Sequence, residues 1–387
     1  MRILIALTYY RPHYSGLTIY AEREARALAR RGHQVTVLTS RYSKDLENLE
    51  DKDGVKIVRL NVLFRVSKGV IMPSIPVRAW KLISNSDVVH LHVPQLDAAL
   101  IAVESKLQKK PLVLTYHCDL NLPPGLVHKI ANRVSDWANS LTASLADRIV
   151  VNTSDYAEYS KFLGRFPEKI QPIFPPVEIE PIQRGAVAAF RDKFSINQDQ
   201  KVIGMASRLA AEKGVEYLAL ALPHVLRKVP EARVIFVGPH QGIVGEEQYA
   251  KKLTPMVERL GHHWTYVGIL SPEEMAAFFQ ISDVLVLPSI NSTESYGIVQ
   301  VESFKCGTPV IATNLPGVRV PVQTSGMGLI VQPRDPIGLA DALVEILERP
   351  AEYKGDPSDL LACSNPDFVA LSYEKIFKSL INSSNGS

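Results

Sequence analysis

The chain has 387 residues, 46% of them hydrophobic and 21% charged, and its formal net charge is +3. This length suits two domains of about 180 residues better than one, and the composition is that of a soluble globular protein. No stretch approaches 18 apolar residues, the apolar start is too short for a signal peptide, and we expect no nucleic acid as a partner.

The first half alternates short apolar runs with amphipathic stretches. Strands are predicted at 3–7, 35–38, 55–60, 88–93, 112–116 and 148–152, and helices at 18–31, 97–107 and 126–145. Such alternation is typical of parallel βαβ units in a doubly wound sheet.

A proline-rich segment at 166–177 is the predicted linker, which separates a domain at 1–177 from one at 178–367. A second alternating set follows it. Strands are predicted at 202–205, 233–237, 265–267, 283–287, 310–312 and 328–331, and helices at 214–228, 246–260, 272–280, 297–306 and 336–348.

The segment from Asp283 to Ala312 predicts a buried strand, a polar loop, a helix and a second buried strand. Two glutamates, Glu294 in the loop and Glu302 in the helix, have seven residues between them. The helix begins near Gly297, and its free N–H groups and dipole suit a phosphate. A carboxylate two turns inside can accept hydrogen bonds from a ribose. The segment therefore predicts a site for a sugar nucleotide.

This segment, with Glu-Ser-Tyr-Gly before the helix and Gly-Thr-Pro-Val-Ile-Ala after it, resembles the signature of family 4 of the retaining glycosyltransferases. The resemblance implies an α/β protein of the GT-B fold, with two Rossmann-like doubly wound domains facing a central cleft. It places the acceptor in domain 1–177 and the nucleotide sugar in domain 178–367. It also implies a C-terminal helix, about 368–387, that crosses back to the N-terminal domain through Phe368, Leu371, Ile376 and Phe377.

Arg208 and Lys213 lie after the first strand of the second domain, where both can reach a diphosphate and stabilise its charge. Their segment is similar to the family's Gly-Arg-Leu and Glu-Lys-Gly, with serine in place of one glycine. The resemblance implies a donor site in which backbone atoms contact the nucleobase. Such a contact does not identify the base, so UDP and GDP both remain candidate donor nucleotides. The donor-site residues are Gly16, Ser207, Arg208, Lys213, Gly238, Ile269, Glu294, Ser295, Tyr296, Gly297, Ile298 and Glu302.

His117 follows a predicted strand and resembles the family's strand-end histidine, which contacts the transferred sugar; the alternative is a core histidine. Asp119 either orients His117 or contacts the acceptor. His90 and His92 share one face of a strand, and we favour packing on the acceptor side over a metal. The adjacent pair of histidines at 262–263 is interpreted as part of a loop. The acceptor-side residues are His13, Tyr14, His92 and Asp119.

The implied reaction moves a hexosyl unit from a UDP- or GDP-sugar to a hydroxyl acceptor with retention, in glycolipid, cell-envelope polysaccharide or glycoside synthesis. Its catalytic residues are His117, Arg208, Lys213 and Glu294. Because both glutamates have binding roles, no nucleophile is evident, and a same-face substitution fits better. No Asp-x-Asp occurs in the cleft segments, so no cofactor or metal is required. The alternatives are a GT-B epimerase, a GT-B phosphorylase and a non-catalytic sugar-nucleotide-binding protein.

Positive charge is concentrated near the N-terminus, where residues 1–81 contain 15 basic and 7 acidic side chains. Four of the cations are interleaved with apolar residues, which suits an anionic membrane surface; the alternative is an acceptor-lining loop with solvated charges. These residues are Arg65, Lys68, Arg78 and Lys81 with Phe64, Val70, Ile71 and Trp80. Three scattered cysteines indicate buried free thiols in a reducing compartment. We therefore expect a cytoplasmic protein, peripheral on the inner face of the membrane if it binds lipid.

Overall fold

The computed structural model describes residues 1–66, 69–119, 126–243 and 245–385. The chain forms two compact units, one of Met1–Pro176 with Cys363–Ser387 and the other of Val177–Ala362. The sequence places the corresponding boundaries after residues 177 and 367. Each unit has its own parallel sheet covered by helices, as the alternation predicts.

The N-terminal unit is built on a sheet in the order β10-β9-β8-β7-β1-β2-β4-β3, with only β3 and β4 antiparallel. Its strands are β1 (Arg2–Ala6), β2 (Gln34–Arg41), β3 (Leu49–Lys52), β4 (Val55–Asn61), β5 (Phe64–Val66), β6 (Gly69–Ile71), β7 (Val88–Val93), β8 (Leu112–Tyr116), β9 (Arg148–Val151) and β10 (Ile170–Pro172). Its helices are α1 (Gly16–Arg30), α2 (Ile75–Ser84), α3 (Ala98–Leu107), α4 (Leu126–Leu145) and α5 (Ser154–Tyr159). Strands β7 and β8 are buried throughout because helices cover both faces.

The C-terminal unit has an all-parallel sheet in the order β13-β12-β11-β14-β15-β16. Its strands are β11 (Lys201–Ala206), β12 (Ala232–Val237), β13 (Trp264–Gly268), β14 (Val284–Leu287), β15 (Val310–Thr313) and β16 (Gly328–Val331). Its helices are α6 (Ala186–Lys193), α7 (Val215–Val225), α8 (Glu247–Glu258), α9 (Pro272–Ile281), α10 (Ile298–Lys305), α11 (Val320–Ser325) and α12 (Pro336–Glu348). The first strand, β11, lies at the centre of the sheet, and the direction of winding reverses between β11 and β14.

The chain ends in two helices, α13 (Ser358–Cys363) and α14 (Pro366–Asn385). Helix α14 packs on α1 of the N-terminal unit, which confirms the predicted return of the C-terminal helix. Its Tyr373 hydroxyl lies 2.7 Å from that of Tyr20, and Ile376 and Phe377 are buried. Phe368 is exposed, so its predicted place on the apolar face is wrong. The last two residues lie outside the described part of the chain.

Three expectations need correction. The boundary between the two units lies within the predicted linker at 166–177, but β10 in this segment pairs with β9, so most of the segment belongs to the N-terminal unit. The cysteines are half-buried rather than buried, and no disulfide joins them. In the basic segment, Trp80 and Phe64 are exposed, but Val70 is buried and Ile71 half-buried, so neither of these two extends an exposed apolar surface. Lys68 of that segment lies outside the described residues.

Candidate active site

The candidate site in the C-terminal unit lies at the carboxyl ends of β11 and β14. These two strands are neighbours, with Gly204 of β11 opposite Leu285 of β14, and the strand order reverses between them. Ligands of open α/β sheets bind in the crevice that forms outside the strand ends at such a point. The loop after β11 carries Arg208 and Lys213, and the loop after β14 carries Glu294.

Lys213 and Glu294 are in contact in the structure although they are 81 positions apart in the sequence. The Lys213 Nζ lies 2.5 Å from Glu294 Oε2, and the Ser289 hydroxyl lies 3.5 Å from the same oxygen. The two side chains are 19% and 15% exposed. The pair is therefore mostly screened from solvent, and it lies at the strand ends where sheets of this type bind their ligands.

A close approach of the two loops fixes this pair. Gly214 directly follows Lys213 with a φ of +65°, and an added Cβ would lie 2.1 Å from the Pro288 carbonyl oxygen after β14. The Ile290 N–H also donates to the Glu212 carbonyl at 3.1 Å. Only glycine fits at position 214, because both the left-handed backbone and the space exclude a side chain.

Arg208 is one third exposed, and its Nη2 lies 3.1 Å from Glu212 Oε1. Its loop is held against the end of β12, since the Ser207 N–H donates to the Val237 carbonyl. Gly238 lies at this contact, where an added Cβ would approach the Ser207 carbonyl to 2.2 Å. Predicted donor residues Ser207, Arg208 and Gly238 thus lie next to one another.

Helix α10 begins after Gly297, as the sequence predicts, and carries Glu302 on its second turn. Three side chains of this segment are buried, those of Ser295, Tyr296 and Glu302, and the side chain of Ile298 is half-buried. Burial, with Glu302 nearby, raises the pKa of the Cys306 thiol to about 11, so this cysteine is not a thiolate nucleophile.

Gln300 is a residue whose role sequence reasoning missed. Its amide donates to the Tyr296 carbonyl at 2.6 Å and to the Val318 carbonyl at 2.9 Å. It therefore holds the Glu-Ser-Tyr-Gly loop in place from inside the unit. The available signal was a glutamine among the apolar residues of α10. Elsewhere in the unit, Ile269 is exposed in the turn after β13.

In the N-terminal unit, His117 follows β8 and is 8% exposed. Its Nε2 lies 2.9 Å from Nδ1 of His92, and the two rings stack. Burial and the neighbouring His92 hold the pKa of His117 well below its ordinary value, so the imidazole is neutral.

Asp119 is held by three hydroxyl groups of the same unit. Its Oδ1 accepts hydrogen bonds from the Tyr116 and Ser160 hydroxyls, both at 2.9 Å, and its N–H donates to the Tyr156 hydroxyl at 2.7 Å. The imidazole of His117 is contacted by His92. His92 is fully buried, so any effect of this residue on an acceptor acts through His117.

The loop after β1 places the remaining N-terminal candidates before α1. Ser15 caps the helix by accepting from the Thr18 N–H, and Gly16 is exposed, with no atom of the described residues within 4 Å of an added Cβ. Packing against the described residues therefore does not require a glycine at position 16. His13 stacks on Tyr9 at 4.6 Å, and Tyr14 is exposed.

Comparison with known proteins agrees with this geometry. The family profile for glycosyl transferases group 1 matches residues 187–356, and the profile for the glycosyl transferase 4-like domain matches residues 15–175. A D-inositol 3-phosphate glycosyltransferase from Streptosporangium roseum is 28% identical over 87% of this chain and 81% of its own. One from Segniliparus rotundus is 25% identical over 88% of this chain and 78% of its own.

Solved structures share the fold. A sucrose-phosphate synthase from Thermosynechococcus elongatus superposes with a TM-score of 0.77 at 20% identity, covering 99% of both chains. HepE from Anabaena, in complex with UDP and glucose, gives 0.77 at 17% identity, covering 98% of this chain and all of its own. With two Rossmann-like units and both family profiles, this chain belongs to the group 1, family 4-type glycosyltransferases of the GT-B fold.

Proposed function

We propose that the protein transfers a hexosyl unit from a UDP- or GDP-sugar to a hydroxyl acceptor with retention of configuration. The observation that carries this proposal is the 2.5 Å contact of Lys213 with Glu294 at the reversal point between β11 and β14. It brings a cation suited to a diphosphate next to a carboxylate suited to sugar hydroxyls. Arg208 supplies a second cation from the same loop as Lys213.

In the proposed reaction, the bond between the anomeric carbon and the β-phosphate oxygen breaks while the acceptor oxygen bonds to the same face. The acceptor proton passes to the departing phosphate oxygen. Arg208 and Lys213 stabilise the charge on the diphosphate, and Glu294 holds the sugar by its hydroxyls. Glu302 binds the ribose, and the neutral imidazole of His117 contacts the transferred sugar. No step requires a metal ion.

The remaining donor contacts are proposed from the family pattern. They involve Gly16, Ser207, Gly238, Ile269, Ser295, Tyr296, Gly297 and Ile298. The acceptor binds the N-terminal unit, near His13, Tyr14 and Asp119. The relatives are named for D-inositol 3-phosphate. The acceptors to test are therefore polyol phosphates, hexose phosphates and lipid-linked sugars.

The test is incubation with UDP-glucose, UDP-galactose, UDP-N-acetylglucosamine or GDP-mannose and each acceptor, with and without EDTA. Transfer gives an acceptor-dependent release of nucleoside diphosphate and an α-linked product by NMR from the α-linked donor. A changed donor sugar without an acceptor would indicate an epimerase. Dependence on inorganic phosphate would indicate a phosphorylase, and thermal stabilisation without any product would indicate a binding protein.

We also propose that the N-terminal unit associates with anionic membranes from the cytoplasmic side. Exposed apolar side chains accompany the exposed cations Arg78 and Lys81 on α2: Val77 is 75% exposed and Trp80 is 47% exposed. Each cation near an anionic surface contributes about 1 kcal/mol. No described helix is long and apolar enough to cross a bilayer.

Co-sedimentation with vesicles of graded anionic content tests this association. Binding should increase with anionic lipid and decrease with salt, and Trp80→Ser with Arg78→Gln should weaken it. Binding that ignores lipid charge, or no binding at low salt, would leave a water-soluble acceptor as the better expectation.

A further inference from the structure

A buried cluster in the N-terminal unit has the composition of a metal site. Glu24 comes from α1, and His90 and His92 come from β7, two residues apart and therefore on one face of the strand. All three side chains are fully buried. One ligand atom from each lies within 4.8 Å of those from the other two.

The contacts inside this cluster are short, but they lack the angles of well-aligned hydrogen bonds. His90 Nδ1 lies 3.0 Å from Glu24 Oε1, and His92 Nε2 lies 3.3 Å from Glu24 Oε2. Within the described residues, none of these four atoms has a partner with hydrogen-bond geometry. Buried polar atoms are nearly always satisfied, and an unsatisfied carboxylate is among the most costly. Four unsatisfied atoms that converge on one place need a common partner.

We propose that Glu24, His90 and His92 bind a divalent transition-metal ion, with zinc as the first candidate. Imidazole nitrogens and a carboxylate are ligands that zinc accepts. Two ligand atoms that lie about 2.0–2.1 Å from a tetrahedral ion are about 3.3 Å apart. The measured separations of 3.0 and 3.3 Å are close to that spacing, with a different Glu24 oxygen facing each histidine. In such a site the lone pairs point at the ion rather than at one another, which explains why close contacts lack hydrogen-bond geometry.

The second ring nitrogen of each histidine is already held, as metal ligands require. His90 Nε2 lies 2.7 Å from the Thr115 hydroxyl, which is 2.7 Å from the Tyr373 hydroxyl of α14. His92 Nδ1 lies 2.9 Å from His117 Nε2. The ion would thus join α1 and β7 directly, and β8 and α14 through these hydrogen bonds.

The alternative is a direct hydrogen bond from the N–H of an imidazole, neutral or cationic, to the carboxylate. Such an N–H should point at a carboxylate oxygen, and in the described part of the chain neither ring does so with hydrogen-bond geometry.

The test is the metal content of the full chain after tag removal and gel filtration through EDTA, measured by inductively coupled plasma mass spectrometry. Brief chelation strips surface ions but leaves a fully buried one, so about one zinc per chain is expected. Refolding from urea with zinc at about 100 times its Kd should raise the Tm of the N-terminal unit by roughly 5–10 °C over refolding with chelator.

Glu24→Gln and His90→Gln should each lose the ion, whereas His262→Asn should keep it. His262 is one of the two adjacent histidines at 262–263 and is exposed, so it controls for adventitious binding. A wild-type chain with less than about 0.1 equivalent of any transition metal, and with the same Tm after both refoldings, overturns the proposal. That outcome would assign the cluster to direct contacts between the imidazoles and the carboxylate, and it would leave glycosyl transfer untouched.

Discussion

Replacing Lys213 with methionine removes one charge and keeps most of the apolar stem, so it isolates what the ammonium group does. Among the described residues, it leaves the Glu294 carboxylate, whose side chain is 15% exposed, with only the Ser289 hydroxyl at 3.5 Å. Exposed ion pairs contribute about 0–1 kcal/mol to the free energy of unfolding, and loss of one partner from a buried pair costs about 3–5 kcal/mol. This partly buried pair should therefore cost about 1–2 kcal/mol, or a fall of roughly 2–8 °C in Tm.

The effect on turnover should be larger and should have a different origin. A hydrogen bond from a charged group contributes about 1.5–3 kcal/mol, so loss of the contact with the departing diphosphate should lower kcat about 10- to 150-fold. The assay is release of nucleoside diphosphate at saturating donor, beside thermal melts of the same preparations. Binding of the nucleoside alone should change little.

A second substitution separates the two effects. Glu294→Gln in the Lys213→Met background removes the unpaired carboxylate, so it should restore most of the lost stability while turnover stays low. The matched control is Lys193→Met, which breaks the more exposed 2.6 Å pair with Glu274 in the same unit and should change neither property much. Wild-type turnover in Lys213→Met, or its recovery in the double variant, would show that the pair is only structural.

Three further predictions concern separate parts of the chain. Glu302→Gln should weaken nucleotide affinity about 10- to 150-fold in calorimetry, because a ribose hydroxyl pair loses its charged acceptor; unchanged affinity would remove Glu302 from the site. Gly214→Ala should lower the free energy of unfolding by more than about 1–3 kcal/mol, since its Cβ meets backbone at a positive φ; a Tm like wild type would contradict that crowding. Hydrogen bonds from Lys378 and Arg31 lower the pKa of Glu374 to about 2. Its stabilising contribution is therefore present above the unfolded pKa and lost as pH falls from about 4.5 to 2, so thermal melts of Glu374→Gln should depend less on pH in that window than wild type.

Much of the fold was predictable because its signals are local. Strands β7, β8 and β16 and helices α4 and α12 have the bounds predicted for them, since buried parallel strands are short apolar runs and helices have a 3.6-residue period. Prediction failed where stability comes from pairing. Strand β3 has the polar sequence Leu-Glu-Asp-Lys, which becomes a strand only by pairing with β4 at the sheet edge. The hairpin of β5 and β6 also depends on the pairing of these two strands with each other. Strand β10 was not predicted because its segment is rich in proline, and it forms by pairing with β9.

The sequence by itself determined the class of the protein, because motif spacing along the chain reports which residues follow strand ends and precede helices. It identified Arg208, Lys213, Glu294 and Glu302 as donor-site candidates before any contact was known. It could not show that Lys213 touches Glu294, since that contact depends on β11 and β14 being neighbours in the sheet.

Tertiary structure alone decided which buried polar groups meet. The sequence does not distinguish Glu24 from the other polar residues of an amphipathic helix. Glu24 comes close to His90 and His92 only because α1 packs over β7. The Tyr20–Tyr373 contact joins residues 353 positions apart, and Asp119 accepts hydrogen bonds from Tyr116 and Ser160. Periodicity records which face of an element is buried, but a polar side chain's partner comes from a different element, and only packing brings the two together.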